Sequence, residues 1–65
     1  VNSPLSHREI QVLQMISRGM TYSQIAEDLN ISKETSKVHI RNIYKKLQVN
    51  SKSEAIALAQ KERFI

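Results

Sequence analysis

The sequence predicts an all-α fold built from four helices. No stretch shows the strict alternation of apolar and polar residues that marks a half-buried strand. A single glycine, Gly19, and a single proline, Pro4, favour helices joined by tight turns. Four short polar segments also carry the chemistry that starts a helix. The length of 65 residues fits one domain, 1–65, and leaves no room for a second.

Two capping boxes predict the first two helices. In such a box, a hydroxyl accepts from the backbone amide three residues later, and a carboxylate or amide at that position reaches back. The box at Ser6–Glu9 starts a helix that runs to about Arg18 and is stopped by Gly19. The box at Thr21–Gln24 starts a shorter helix to about Leu29.

The remaining two helices follow from similar signals. Ser32 caps a third helix that runs to about Gln48, and a third box at Ser51–Glu54 opens a last helix to about Glu62. A short helix, a turn at 30–32 and a longer basic helix make the helix-turn-helix arrangement. An ordinary helical hairpin in a bundle has the same local pattern, so the turn alone does not decide the function.

The positive charge is concentrated in the third helix. The chain has a net charge of +4, and residues 33–46 hold five basic residues against one acidic residue, which sums to +4. The rest of the chain balances five basic residues against five acidic ones. Charge confined to one segment indicates a polyanionic partner there, although a solvated helix face gives the same pattern.

The third helix has two different faces. At about 100° per residue, one stripe is predicted to face the core; it consists of Ser36, Ile40, Ile43 and Leu47. An arc centred roughly 145° away is mostly basic; it consists of Glu34, Lys37, Val38, Arg41 and Lys45. A helix in the major groove of DNA needs such a packed back and a front that offers donors to phosphates and base edges.

The residue types on this front fit particular parts of DNA. Lys37 and Arg41 lie one turn apart, and both suit the O6 and N7 acceptors of guanine. Val38 can contact the methyl group of thymine. Ser32 and Thr35, at the start of the helix, can donate to a phosphate at the positive end of the helix dipole.

Several function classes are excluded by what the sequence lacks. Without cysteine there is no disulfide or thiolate metal site, and the two histidines, His7 and His39, have no second ligand nearby. We therefore expect no metal and no cofactor. No nucleophile–base pair and no glycine-rich loop is present, which argues against an enzyme. No apolar run approaches the roughly 18 residues of a membrane span, so no membrane contact is expected.

A longer pattern runs through residues 5–62. In order, it reads Leu5-Ser6-x-Arg8-Glu9-x-x-Val12-Leu13, Gly19-x-Thr21-x-x-x-Ile25-Ala26-x-x-Leu29-x-Ile31-Ser32-x-x-Thr35, Lys37-Val38-His39, Lys46-Leu47-x-Val49 and Ala55. This pattern closely resembles the LuxR-type (GerE-like) DNA-binding domain. The resemblance implies a four-helix domain at the C-terminus of a bacterial transcription factor, often a NarL-type response regulator or a quorum sensor.

The resemblance and the residue chemistry together assign three sets of contacts. The predicted base contacts are Lys37, Val38 and Arg41. The predicted contacts to the DNA backbone are Tyr22, Ser32, Lys33, Thr35 and Lys45. The family's fourth helix forms the dimer contact on DNA, and the matching outward residues here are Ser53, Ile56, Ala57 and Gln60. Packing in the core explains Ile56 and the alanines of this helix equally well.

Three positions depart from the usual family pattern. Tyr22 stands where a polar residue, often asparagine, is usual, and its hydroxyl can serve the same role. Ser36 stands on the packed face where valine is usual, and we expect it to bond back to the carbonyl four residues earlier. Lys52 stands where arginine is usual, so a bidentate contact there is not implied.

The sequence therefore predicts sequence-specific binding of double-stranded DNA by the effector domain of a bacterial transcription regulator. Because the chain begins with Val1 rather than methionine, we expect it to be a piece of a longer protein. The resemblance implies that this protein is a cytoplasmic, response-regulator-like regulator and that the chain is its C-terminal part. The expected partners are double-stranded DNA, a second copy held weakly through the fourth helix on DNA, and RNA polymerase. The alternative is a helical protein-interaction module of the sigma-like adaptor kind.

Overall fold

Four helices make up the computed structural model, which describes residues 4–65. They are α1 His7–Ser17, α2 Tyr22–Leu29, α3 Lys33–Leu47 and α4 Lys52–Lys61. Within residues 4–65 no strand is present, so the predicted all-α fold is confirmed. Each helix begins directly after its predicted cap, and each predicted end is the last helical residue or the one after it.

Two of the three predicted capping boxes are complete. The amide of Glu9 donates to Ser6 Oγ at 3.2 Å, and the amide of Ser6 donates to Glu9 Oε1 at 2.8 Å. At α2, the amide of Gln24 donates to Thr21 Oγ1 at 3.2 Å, and the amide of Thr21 donates to Gln24 Oε1 at 2.8 Å. Both bonds of each box satisfy amides that a helix start otherwise leaves free.

The third predicted box is only half formed. The amide of Glu54 donates to Ser51 Oγ at 3.2 Å, but the carboxylate of Glu54 does not return a bond to the Ser51 amide. Ser51 has a φ of −147°, whereas the two complete boxes have cap φ values of −73° and −81°. This more extended backbone turns the cap amide away from the carboxylate, so the box prediction is wrong in its second half.

All four helices end with the same hydrogen-bonding motif. Each last turn is followed by a residue with positive φ: Gly19, Asn30, Gln48 and Arg63. The next residue is apolar, and its amide donates to a carbonyl five residues back; these residues are Met20, Ile31, Val49 and Phe64. This is the Schellman arrangement, in which an apolar residue folds back onto the helix it follows. All four of these apolar side chains are half-buried, which ties each helix end to the core.

The core forms where α3 meets the other helices. α3 contacts α1, α2 and α4, and α1 also contacts α4. The buried cluster comprises Leu5, Val12, Leu13, Met15, Ile16, Ile25, Ile40, Ile43, Leu47, Ala55 and Ala59. The predicted inner stripe of α3 is confirmed, because Ser36, Ile40, Ile43 and Leu47 are all buried.

Among residues 4–65, none of the helices has the length and hydrophobicity that a membrane span requires.

One buried carboxylate joins α1 to α3. Glu9 is only 5% exposed, and its Oε1 accepts both the capping bond from the Ser6 amide and a bond from Lys46 Nζ, each at 2.8 Å. Desolvation on burial raises the pKa of Glu9, but the bonds from Lys46 and Ser6 outweigh it and the pKa falls below its ordinary value of 4.5. Capping is thus one of two roles, since Glu9 also pairs with a basic residue of α3.

The ends of the helices generate a first prediction. Replacing Gln48, which holds a φ of 56°, by glycine should raise the free energy of unfolding by about 0.5–1 kcal/mol, because glycine adopts positive φ without steric cost. Gly19→Ala should lower it by about 1–2 kcal/mol, since Gly19 has a φ of 85°. Urea unfolding followed by circular dichroism measures both.

A matched control for this substitution is Gln11→Gly. Gln11 is exposed within α1, so glycine there should cost about 0.5–1 kcal/mol through lost helix propensity. If Gln48→Gly destabilises the domain as much as Gln11→Gly does, positive φ at residue 48 is not a source of strain.

The Glu9–Lys46 pair generates a second prediction. Since the pKa of Glu9 is lower in the folded state, its carboxylate stabilises the fold above the unfolded pKa, near 4.5. That contribution should disappear as the pH falls through the folded pKa. In Glu9→Gln, which retains a capping side chain, the loss of stability below about pH 4.5 should be smaller than in the wild type. Lys46→Ala should cost about 1–2 kcal/mol at pH 7, because a buried carboxylate loses a charged donor.

The measurement is thermal unfolding between pH 3 and pH 7, with Glu27→Gln as the control. Glu27 is exposed and makes no ion pair within residues 4–65, so its loss should leave the shape of the profile unchanged. Identical acid profiles for Glu9→Gln and Glu27→Gln would contradict the role given to the pair.

Candidate nucleic-acid interface

The front of α3 forms a basic surface that is mostly exposed. Val38, Arg41 and Lys45 are exposed, while Lys37 is half-buried at the border with α2. The structure therefore brings the three predicted base contacts to one face, opposite the buried stripe. Because α3 is held on its back by three helices, this face is presented on a rigid support.

Lys37 is only loosely engaged within the domain. Its Nζ lies 3.9 Å from Glu34 Oε1, and the two side chains are 40% and 81% exposed. Exposed pairs at this separation contribute little to stability. The ammonium of Lys37 can therefore exchange Glu34 for an acceptor on a partner at small cost.

Two large side chains with apolar surface stay exposed next to this basic face. Val38 is 46% exposed and Tyr22 is 39% exposed, and they are the two exposed large hydrophobic residues within residues 4–65. A valine held outward between basic residues gains nothing from the core of its own domain. Its position fits contact with an apolar group of a partner, such as a thymine methyl.

The start of α3 presents hydroxyl groups. The amide of Thr35 donates to Ser32 Oγ at 3.0 Å, and Ser32 Oγ lies 2.8 Å from Thr35 Oγ1. Since one hydroxyl donates to the other, the pair keeps one O–H free for an acceptor outside the domain. Lys33 is exposed beside them, at the positive end of the helix dipole. This corner of the structure therefore presents hydroxyl and ammonium donors, which are the groups that phosphate oxygens accept from.

Ser36 fixes the start of α2 against α3. The residue is fully buried, and its Oγ lies 2.7 Å from the carbonyl oxygen of Lys33 and 3.3 Å from that of Tyr22. The hydroxyl thus bonds to the carbonyl three residues earlier, not four as the sequence predicted. In this position it also contacts the carbonyl of Tyr22 at the start of α2. The consequence is that the backbone of Tyr22 is held at a fixed place beside α3.

Tyr22 and Tyr44 lie together at one border of the front of α3. A shallow cavity of about 240 Å³ is lined by Tyr22, Lys37, Ile40, Arg41 and Tyr44. Tyr22, which the sequence assigned to the DNA backbone, is therefore next to both basic residues assigned to bases. Tyr44 was missed at the sequence level, since nothing in its local pattern indicates that α2 approaches it.

Lys46 belongs to the same basic segment as the front of α3, but its ammonium pairs with Glu9 of α1. The predicted dimer residues of α4 differ in exposure: Ser53, Ala57 and Gln60 are exposed, whereas Ile56 is half-buried and packs against the core.

Within residues 4–65, no group of three or more histidines, cysteines or acidic residues is placed to hold a metal ion.

Comparisons with known proteins place these features in a family. Residues 3–59 match the family described as "Bacterial regulatory proteins, luxR family". The HTH-type transcriptional regulator MalT of Vibrio campbellii is 47% identical over 58 residues, and MalT of Yersinia pestis (strain Pestoides F) is 48% identical over 59 residues. These matches cover 89% and 91% of this chain but 6% of each relative, so the chain spans only a small part of their length.

Two solved structures share the fold. The response regulator ChrA of a heme-sensing two-component system superposes with a TM-score of 0.90 at 40% identity, over 100% of this chain and 32% of ChrA. The transcription factor GerE superposes with a TM-score of 0.91 at 32% identity, over 97% of this chain and 94% of GerE. With a match along most of its sequence and a fold shared with GerE over almost its whole length, the chain belongs to the LuxR family of bacterial regulatory proteins as a helix-turn-helix domain.

Proposed function

We propose that this chain binds double-stranded DNA sequence-specifically as the DNA-binding domain of a bacterial transcription regulator. The observation that carries the proposal is the division of α3 into a stripe buried against three helices and an exposed basic front. Relatives named as a transcriptional regulator and a transcription factor support it. In this proposal α3 lies in the major groove, where an α-helix fits.

The front of α3 carries the reading of sequence. Arg41 and Lys37 donate to guanine O6 and N7, and Val38 contacts a thymine methyl. Exposure and closeness of these three side chains support the assignment. Because base contacts are the part of the interface that distinguishes sequences, their loss should affect specific binding more than general affinity.

A second set of residues holds the DNA backbone. They surround the front of α3 or lie at its start: Tyr22, Ser32, Lys33, Thr35 and Lys45. All five are exposed, and they supply hydroxyl or ammonium donors of the kind that bind phosphate oxygens. These contacts fix the position and tilt of α3 without carrying sequence information.

The domain is proposed to be the C-terminal effector part, residues 1–65, of a longer cytoplasmic regulator. Its small share of two relatives supports this, since it corresponds to 32% of ChrA and 6% of MalT, whereas it spans 94% of GerE. The resemblance to the response regulator ChrA favours a response-regulator-like parent. RNA polymerase is proposed as a further partner of such a regulator. The role is one of binding rather than catalysis, because the family consists of regulatory proteins.

Substitutions on the front of α3 test the reading role. Arg41→Ala and Lys37→Ala should each weaken binding to a duplex selected by the wild type from a random pool by about 1–3 kcal/mol. The affinity for a scrambled duplex should change much less. The melting temperature of the domain should stay unchanged, because neither side chain is buried. Fluorescence anisotropy at several salt concentrations measures both affinities. Unchanged discrimination in both variants would overturn the assignment.

Lys45→Ala is the contrasting variant. As a phosphate contact, Lys45 should affect selected and scrambled duplexes alike, and its loss should lower the slope of log affinity against log salt by about 0.9. If its loss instead relaxes discrimination at one base pair, Lys45 reads a base. Should the wild type bind no duplex and bind RNA polymerase instead, the adaptor alternative would replace the proposal.

Dimerisation is proposed to occur weakly, through α4, when two domains sit on neighbouring half-sites. The exposed part of the patch is small, since Ser53, Ala57 and Gln60 are exposed but Ile56 is shared with the core. A patch of that size falls below the roughly 1,200 Å² total of a stable interface. On DNA, the shared duplex raises the effective concentration of the second domain, so a weak contact suffices.

This arrangement predicts a monomer at micromolar concentration in sedimentation and cooperative binding to two half-sites about one helical turn apart. Ile56→Glu should abolish the cooperativity. Because Ile56 is half-buried, the exposed Ala57→Glu provides a second variant that leaves the core intact. A tight dimer without DNA, or full cooperativity in Ala57→Glu, would contradict the proposed contact.

A further inference from the structure

A second groove lies on the far side of the two tyrosines. It has a volume of about 410 Å³ and runs between the turn after α1, the start of α2, the last turn of α3 and the start of α4. Ile16 and Met20 give it an apolar floor, while Tyr22, Tyr44 and Lys52 bring two phenols and an ammonium to its walls. The same two tyrosines line the smaller cavity that contains Lys37 and Arg41, so the groove continues the front of α3.

The position of Tyr44 on α3 complements that of Lys45. At about 100° per residue, Arg41 lies roughly 40° and Lys45 roughly 80° from Lys37 in one direction, whereas Tyr44 lies roughly 20° away in the other. On the same scale Val38 lies at roughly 100°, so Lys45 and Val38 lie toward one border of the front and Tyr44 lies at the other. The major groove is bounded by two phosphate backbones about 12 Å apart. A helix lying in it presents each border to a different strand.

The three polar groups of this groove have no partner inside the domain. Within residues 4–65, neither phenol makes a hydrogen bond and the ammonium of Lys52 makes no ion pair. Burial raises the pKa of the Tyr44 phenol, and the neighbouring Tyr22 adds to this, so Tyr44 remains an O–H donor over the physiological range. Two hydroxyl donors and one cation over an apolar floor are suited to an oxyanion.

We propose that Tyr44 and Lys52, together with Tyr22, bind a phosphate of the DNA strand that borders α3 on its α2 side. This inference rests on the proposed function and adds two positioning residues to it. Lys45 holds one strand and the tyrosine–lysine groove holds the other, so α3 is fixed from both borders of the major groove. Neither contact reads sequence.

Tyr44→Phe and Lys52→Ala test the groove, with Lys61→Ala as the matched control. Tyr44→Phe removes one hydroxyl and keeps the packed ring, so it should weaken binding to selected and scrambled duplexes about 3- to 10-fold without changing the salt slope. Lys52→Ala should weaken both and lower the slope by about 0.9. Lys61 is an exposed lysine at the opposite end of α4, and its loss should change neither quantity.

A duplex with single methylphosphonate linkages separates a backbone phosphate from a free anion. At one position, on the strand that Lys45 does not contact, neutralising the phosphate should weaken the wild type and leave Lys52→Ala unaffected. The contrary outcome has two parts. No single methylphosphonate position makes the affinities of the wild type and Lys52→Ala equal, and inorganic phosphate at matched ionic strength shifts the ring resonances of Tyr44 saturably at low millimolar concentration. The groove would then bind a free anion, and the proposal would be overturned.

The outcomes for the two levels of proposal are distinct. If Tyr44→Phe and Lys52→Ala bind both duplexes like the wild type while Arg41→Ala loses discrimination, the groove is not part of the interface and the proposed function stands. If the wild type shows no salt-dependent binding to any duplex, both proposals are overturned. Melting temperatures within a few degrees of the wild type establish that each variant is folded.

Discussion

One stripe of α3 is buried against the three other helices, and this packing holds α1, α2 and α4 around a single core. The stripe is apolar except for Ser36, whose hydroxyl is satisfied by carbonyl oxygens of α3 and of the start of α2. A buried hydroxyl without such partners would cost free energy, so this position both tolerates serine and ties two helices together. With its back fixed, α3 can leave its front exposed and basic without losing its place in the fold.

Helices of 8 to 15 residues need help at both ends, because isolated helices of this length are marginal in water. At each start a serine or threonine hydroxyl accepts a hydrogen bond from a backbone amide. At each end an apolar residue folds back onto the helix through a Schellman motif. These local motifs set the turn geometry between helices. The direction in which α3 leaves α2 is therefore encoded in a few turn residues rather than in the core alone.

Local chemistry could be predicted from the sequence, whereas contacts between helices could not. Caps and helix faces depend on residues within about one turn of each other, which is why the helix bounds and the buried stripe of α3 were predictable. The Glu9–Lys46 bond joins residues 37 positions apart, and the pairing of Tyr22 with Tyr44 depends on how α2 crosses α3. The positive φ of Gln48 could not be predicted either, because the residue at that position is neither glycine nor asparagine.

The basic residues of α3 differ in their contacts within the domain. Lys46 pairs with the buried Glu9, so in the proposed interface the charge of the segment is carried by the other four basic residues. Among these, Lys33 lies at the start of α3, Arg41 and Lys45 are exposed on its front, and Lys37 is half-buried at the border with α2. The border with α2 carries the two phenols beside the cations of Lys37 and Lys52. Counterion release counts charges only, so a hydroxyl contact there would hold the DNA strand without making binding more sensitive to salt.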